Sequence, residues 1–212
     1  MNINQSLKNY IEKGILPEYE LNDKGHNLVH INNVLNRAFE ISANYEVDEN
    51  MLYTIVCYHD IACHIDRETH EILSSERLFA DDNLRKFFSE AQMEIMRDAV
   101  VDHRSSLEYV PRNIYGKILS SADRKVDIDD YMRSSMGFQK NKEPNSTDDE
   151  LIEHSYTFAI KKFGKNGYAV KKFYVKDETY EKFLNELQDL IDNKPAFVER
   201  AKMVLANLKK EF

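Results

Sequence analysis

At 212 residues the chain can bury a substantial core, and its 6 Gly and 4 Pro disfavour a turn-rich all-β fold. A formal charge of -8 excludes a general nucleic-acid binder, which would need an excess of Lys and Arg, but not a phosphorylated small molecule met through a bound cation. No stretch approaches the roughly 18–20 apolar residues of a membrane span, and the opening Met-Asn-Ile-Asn-Gln-Ser lacks the basic and apolar regions of a secretory signal, so a soluble cytoplasmic protein is expected.

Helical spacing dominates. Leu28, Ile31, Leu35, Ala38 and Ile41 mark one apolar face of a helix over about 22–44, which Asn22 or Asp23 can cap. Asp48 caps a second helix, about 48–63, that is apolar on most sides and therefore central. Further helices are predicted at roughly 70–82, at 89–104 behind the capping box Ser89-Glu-Ala-Gln92, and at 112–126 just after Pro111. Residues 137–149 are polar and rich in breakers, and read as a long loop or lid. A helix then follows a Ser146/Thr147 cap, and Phe173-Tyr-Val175 suggests a short extended piece. Two closing helices run from Tyr180 to Ile191 and from Phe197 to Leu208. The expected organisation is one domain over 1–212, with a core at about 20–130 and a C-terminal helical extension at about 150–212.

The two cysteines, Cys57 and Cys63, are six apart, hence roughly 240° around a helix and unable to pair. They read as small core residues in a reducing compartment.

His59-Asp60 follows the apolar run Met51-Leu-Tyr-Thr-Ile-Val-Cys-Tyr58. A buried imidazole and carboxylate are costly unless a side chain or a cation compensates their desolvation. His26 and His30 stand four apart, about 40° from one another on a helix face. The connection between the first two long helices is short, so they should pack as antiparallel neighbours. His30 then lies about 21 Å from the joined ends and His59 about 16–17 Å, within about one turn of the same height. Asp123, in Ser120-Ser-Ala-Asp-Arg-Lys125, ends another helix with an apolar face. His30, His59, Asp60 and Asp123 make a mixed N/O set that suits one divalent ion with open water positions, namely Mn, Fe, Co, Ni, Mg or Zn. Arg67 could clamp a phosphate, Glu71 could orient the attacking water, and Lys125 could reach a substrate phosphate. A solvated surface role is the alternative for each.

The order His30, His59-Asp60, Asp123 resembles the H…HD…D signature of HD-domain metal-dependent phosphohydrolases. Gly25-His-Asn-Leu-Val-His30, Cys57-Tyr-His-Asp-Ile-Ala62, His70-Glu71 with Ser74-Ser75, and Val101-Asp-His-Arg104 are similar to the segments around that signature. The resemblance covers about 20–130. It implies an all-α helical bundle that hydrolyses a phosphate ester or anhydride, often of a nucleotide, with His30, His59, Asp60 and Asp123 as metal ligands. It implies Asp60 in the catalytic role, with Glu71 a candidate beside it. His26 would support the ligands from behind or touch phosphate, and His70 and His103 would line the substrate pocket with Arg67 and Lys125. Two departures stand out: Asn33 occupies a position where the family often has Arg, and His70 and His103 fall early and late for the extra ligands of two-metal members. One ion is therefore expected.

Rival classes are a non-catalytic sensor that binds a phosphorylated ligand in the same pocket, and a two-iron oxygenase, which needs more histidines. A zinc protease is disfavoured, since no Glu lies between His26 and His30. Lys161, Lys162, Lys165, Lys171, Lys172 and Lys176 form a basic run that could wall an anion site, although most such runs are solvated. The last helix could pack in a homodimer.

Overall fold

The computed structural model describes residues 2–23, 25–170 and 173–208. Among them are ten α-helices and no strand, an all-α fold as the periodicity predicts. No helix of the described residues is long and apolar enough to cross a membrane. The chain divides into two compact units, one of Met1–Asp123 with Tyr174–Lys176, the other of Arg124–Phe173 with Asp177–Phe212.

The first unit contains α1 (Gln5–Gly14), a 3-10 segment (Leu16–Leu21), α2 (Leu28–Ser42), α3 (Glu49–Tyr58), α4 (His70–Phe79), α5 (Glu90–Val101) and α6 (Ile114–Ala122). Helix α3 is its axis: every residue from Met51 to Tyr58 is buried. Fully burying a side chain such as Leu52 or Ile55 is worth about 1.5–3 kcal/mol, which is why a run that is apolar all round goes to the centre. Asp48 caps α3 through the Asn50 and Met51 amides, and Ser89 with Gln92 closes the capping box of α5. Val175 joins this core, and the Lys176 amide donates to Tyr45 Oη at 2.9 Å.

The second unit packs α7 (Ile128–Lys142), α8 (Asp148–Phe163), α9 (Glu178–Asp192) and α10 (Lys194–Leu208) around Phe163, Tyr180, Phe183, Leu187 and Phe197. Thr147 caps α8 with Glu150 as its box partner.

Several boundaries differ from the sequence expectations. Residues 137–142 are the end of α7 rather than loop, because Ile128, Tyr131, Met132, Ser135 and Met136 recur at helical spacing and drive one face into the core. The break falls later, around Pro144. Helix α2 begins at Leu28 with Asn27 as its cap, not at Asn22, whose side chain is used elsewhere. Helix α3 stops at Tyr58 rather than 63, giving way to turns over 59–65. The helices predicted at 70–82, 89–104 and 112–126 are each shorter, ending at Phe79, Val101 and Ala122. Residues 5–21 are helical although no helix was expected there, and Phe173 to Val175 form no strand.

Candidate metal centre

The ends of five helices of the first unit supply the site. His30 sits in the first turn of α2, where the Asn27 side chain accepts the Val29 and His30 amides. His59 closes α3 and Asp60 follows it into a turn. His70 opens α4, His103 lies two residues past the end of α5, and Asp123 closes α6.

His30 and His59 meet as their matched heights require, and Asp123 joins them. His30 Nε2 lies 3.3 Å from Asp60 Oδ2 and 3.2 Å from Asp123 Oδ1, and His59 Nε2 lies 3.2 Å and 3.7 Å from the same two oxygens. The rings of His30 and His59 have centroids 5.5 Å apart. His70 Nε2 and His103 Nε2 approach the other oxygen, Asp60 Oδ1, at 3.2 and 3.4 Å. Ligand atoms about 2.0–2.2 Å from one shared ion would stand roughly 3–3.6 Å apart, which matches these separations. Two sets of groups could thus hold a metal: His30, His59, Asp60 and Asp123 on one side, and Asp60, His70 and His103 on the other. The expectation of one ion rested on His70 and His103 being out of place, and the fold brings both to Asp60.

The hydrogen bonding fits cations. His59 Nδ1 donates to Val56 O at 2.8 Å, His70 Nδ1 to Arg67 O at 2.9 Å and His103 Nδ1 to Val100 O at 2.6 Å. Each bond fixes the proton on Nδ1 and turns the Nε2 lone pair inward, the orientation that ligating histidines take. His30 Nε2, His59 Nε2 and Asp60 Oδ1 are buried without a hydrogen-bond partner, a costly state for polar atoms unless an ion fills the space between them. The ligand oxygens of Asp60 and Asp123 lie within 4.8 Å of one another, where two carboxylates repel by about 3–4 kcal/mol at an effective dielectric of 20.

The field is correspondingly anionic. Burial opposes charge on His59, yet the Asp60 charge and the contact with Asp123 lift its pKa well above the ordinary imidazole value. His30 is raised against the same burial by Asp123 and Asp60, and His70 by Asp60. Burial would likewise push the Asp60 and Asp123 carboxyls up. The charge on His59 and the histidines around it hold Asp60 well below its usual range, and contacts with His30 and His59 hold Asp123 down. What draws protons onto imidazoles here also draws divalent cations.

The remaining predicted residues surround this cluster in different ways. His26 Nδ1 lies 2.9 Å from Asp23 Oδ1, and Asp23 Oδ2 also accepts from Arg67 at 2.7 Å, so Arg67 is paired and largely exposed. Glu71 approaches His70 on its Nδ1 side, at 3.6 Å, and both its oxygens accept from Arg104 at 3.1 Å. Lys125 is exposed and falls in the second unit. In the basic run Lys165 pairs with Asp192 and Lys162 lies over the Phe163 ring, while Lys171 and Lys172 lie outside the described residues.

Two residues unforeseen from the sequence hold the His59-Asp60 turn. Tyr19, fully buried in the 3-10 segment, donates to Cys57 O at 3.0 Å and accepts the Asp60 amide at 3.3 Å. Asn22 Nδ2 donates to Asp60 O at 2.9 Å and His26 O at 3.0 Å, and its Oδ1 accepts the His64 amide at 2.9 Å. In the sequence they appear only as a Tyr three residues ahead of the polar Asn22-Asp23. Cys63 is free and partly buried near Asp60, and Cys57 is free and fully buried. Set against known proteins, the chain matches no protein-family model, no curated protein and no solved structure.

Proposed function

We propose that the chain is a metal-dependent phosphohydrolase of the HD type, with a two-ion centre on which Asp60 is the shared ligand. The observation that carries this reading is the inward convergence of four Nε2 lone pairs on the carboxylates of Asp60 and Asp123, in the chain order His30, His59-Asp60, His70, His103, Asp123. When bound, divalent ions at such a centre activate water and polarise a phosphoryl oxygen. The chain's own part is to hold the ligands rigidly: backbone carbonyls of residues 56, 67 and 100 fix three imidazoles, and Tyr19 and Asn22 fix the Asp60 backbone. His26 and Arg67, joined through Asp23, are the candidates to neutralise a substrate phosphate. Glu71 is placed to orient His70 from its Nδ1 side.

The test is hydrolysis of nitrophenyl phosphates and a nucleotide panel by protein loaded with Mn²⁺, Co²⁺ or Mg²⁺. Phosphate release that chelation abolishes and Asp123→Ala lowers by about a hundredfold or more is expected. Full metal occupancy without turnover of any phosphate would overturn the assignment.

The placement of His70 and His103 favours one competing reading, a two-iron oxygenase, which requires those extra imidazoles. Oxygen consumption by the iron-loaded protein, with no phosphate release under any metal, would select it.

A further inference from the structure

The turn that carries Asp60 also carries Cys63, whose amide donates to Asp60 O at 3.1 Å. His26 belongs to the preceding loop, and Asn22 ties that loop to the turn by donating to both the His26 and Asp60 carbonyls. The three side chains are thereby brought together: one ligand atom each of His26, Asp60 and Cys63 lies within 4.8 Å of the others. Asp23 occupies His26 Nδ1, which leaves Nε2 as the free nitrogen.

We propose that His26, Asp60 and Cys63 form a further cation subsite that takes thiophilic divalent ions, Zn²⁺ or Cd²⁺, and that an ion there competes for Asp60 with the ions of the main centre. The selectivity follows from the donors. The main centre offers only imidazole and carboxylate, which suit Mn²⁺, Co²⁺ or Mg²⁺ as well as Zn²⁺, whereas a sulfur ligand favours the softer ions. Zinc takes N, O and S ligands tetrahedrally and can leave a fourth position open to water; such ligand atoms would stand roughly 3.3–3.8 Å apart, against the 4.8 Å limit within which these three lie. Binding breaks the Cys63 S–H bond, forms a metal–sulfur bond and releases the proton to solvent; nothing is oxidised or reduced. Competition follows from Asp60. Its two oxygens already face the two halves of the main centre, and a third cation on one carboxylate would be repelled by both neighbours. The subsite is therefore an inhibitory one, filled at the expense of the centre. This inference does not depend on what the main centre catalyses.

The experiment is a Cd²⁺ titration of the metal-free full-length protein, followed by ultraviolet absorption. A thiolate-to-cadmium charge-transfer band is expected in the wild type and in Cys57→Ala, and is expected to vanish in Cys63→Ser. Cys63→Ser should weaken Cd²⁺ binding at the subsite about tenfold or more while leaving Mn²⁺ affinity within about twofold. Adding Cd²⁺ to Mn²⁺-loaded wild type should release Mn²⁺, seen as the growth of its free-ion electron paramagnetic resonance signal. A saturated Cd²⁺ titration with no such band, or a band that survives in Cys63→Ser, overturns the proposal. If Cys63→Ser does not fold, His26→Gln is measured instead, and Cd²⁺ affinity unchanged from wild type is then the refuting result. None of these readouts involves phosphate turnover, so a failed hydrolase assay leaves them interpretable.

Discussion

His70 Nε2 and His103 Nε2 face one another at 3.3 Å, 33 residues apart in sequence, and Asp60 Oδ1 completes a triangle with them at 3.2 and 3.4 Å. Both rings donate Nδ1 to a carbonyl, so the contact between the two Nε2 atoms requires either a second proton on one ring or a bound cation. In the metal-free protein Asp60 favours that proton on His70, whose pKa it raises, and a divalent ion would take the proton's place.

The protein should accordingly bind two divalent ions per chain. His103→Ala is expected to retain about one, and Asp60→Ala close to none, by elemental analysis after Mn²⁺ or Co²⁺ loading and desalting. Two ions retained by Asp60→Ala would refute the shared-ligand arrangement.

Metal and pH should act on stability together, and the sign can be worked out. His30, His59 and His70 have folded pKa values raised above the unfolded value of about 6.5, so the stability they lend the metal-free protein is complete below that pH and is lost as pH rises through the folded values. Asp60 and Asp123 are lowered, so their contribution is present above about 3.9 and is lost as pH falls through the folded values. Melting of chelator-treated protein should therefore show greatest support from this cluster between about pH 4 and 6.5. The increase in Tm on adding Mn²⁺ should be larger at pH 8 than at pH 6, because bound metal replaces the departing protons. A Tm shift that does not change with pH would count against it.

Tyr19→Phe removes the hydroxyl that accepts the Asp60 amide and donates to Cys57 O, both buried. A loss of about 1–3 kcal/mol in folding stability is expected by denaturant titration, together with a metal affinity weakened by about 10–100-fold. Stability lost with metal affinity intact would make Tyr19 a core residue only.

Arg112 binds both oxygens of the buried Asp102 carboxylate, at 2.7 to 3.1 Å, beside the Tyr109 hydroxyl at 2.8 Å. Arg112→Ala should cost about 2–3 kcal/mol, at or below the lower end for a fully buried pair because Arg112 itself is partly exposed. Arg112→Lys should rescue little, since an ammonium cannot reproduce the two-pronged contact. Because Asp102 adjoins His103, the Ala variant should also lower occupancy of the second ion.

The parts of this site that were legible in the sequence were those fixed by helical arithmetic. His30 and His59 could be set at one height because two adjacent helices and a short connection determine it, and their rings do meet. Asp123 could be placed because it ends a helix with a clear apolar face. His70 and His103 read as lining the substrate pocket rather than as ligands beside Asp60, because each lies beside a helix boundary and periodicity does not say how the chain turns there. The same blindness misplaced the end of α3 and hid Tyr19 and Asn22, whose roles depend on hydrogen bonds to backbone 38 to 41 residues away. Residues 137–142 were mistaken for loop because their polarity masked a helix whose apolar face lies mostly in the preceding two turns.

Every ligand of the centre lies at a helix terminus or one turn from it, on segments that span positions 30 to 123. An ion bound there would be a non-covalent staple across a loop of some ninety residues, restricting the unfolded chain much as a long-range crosslink does. Metal depletion should then be felt first as fraying: amide exchange would quicken at the end of α3, the start of α4 and the last turns of α5 and α6, while the middle of α3 stays protected.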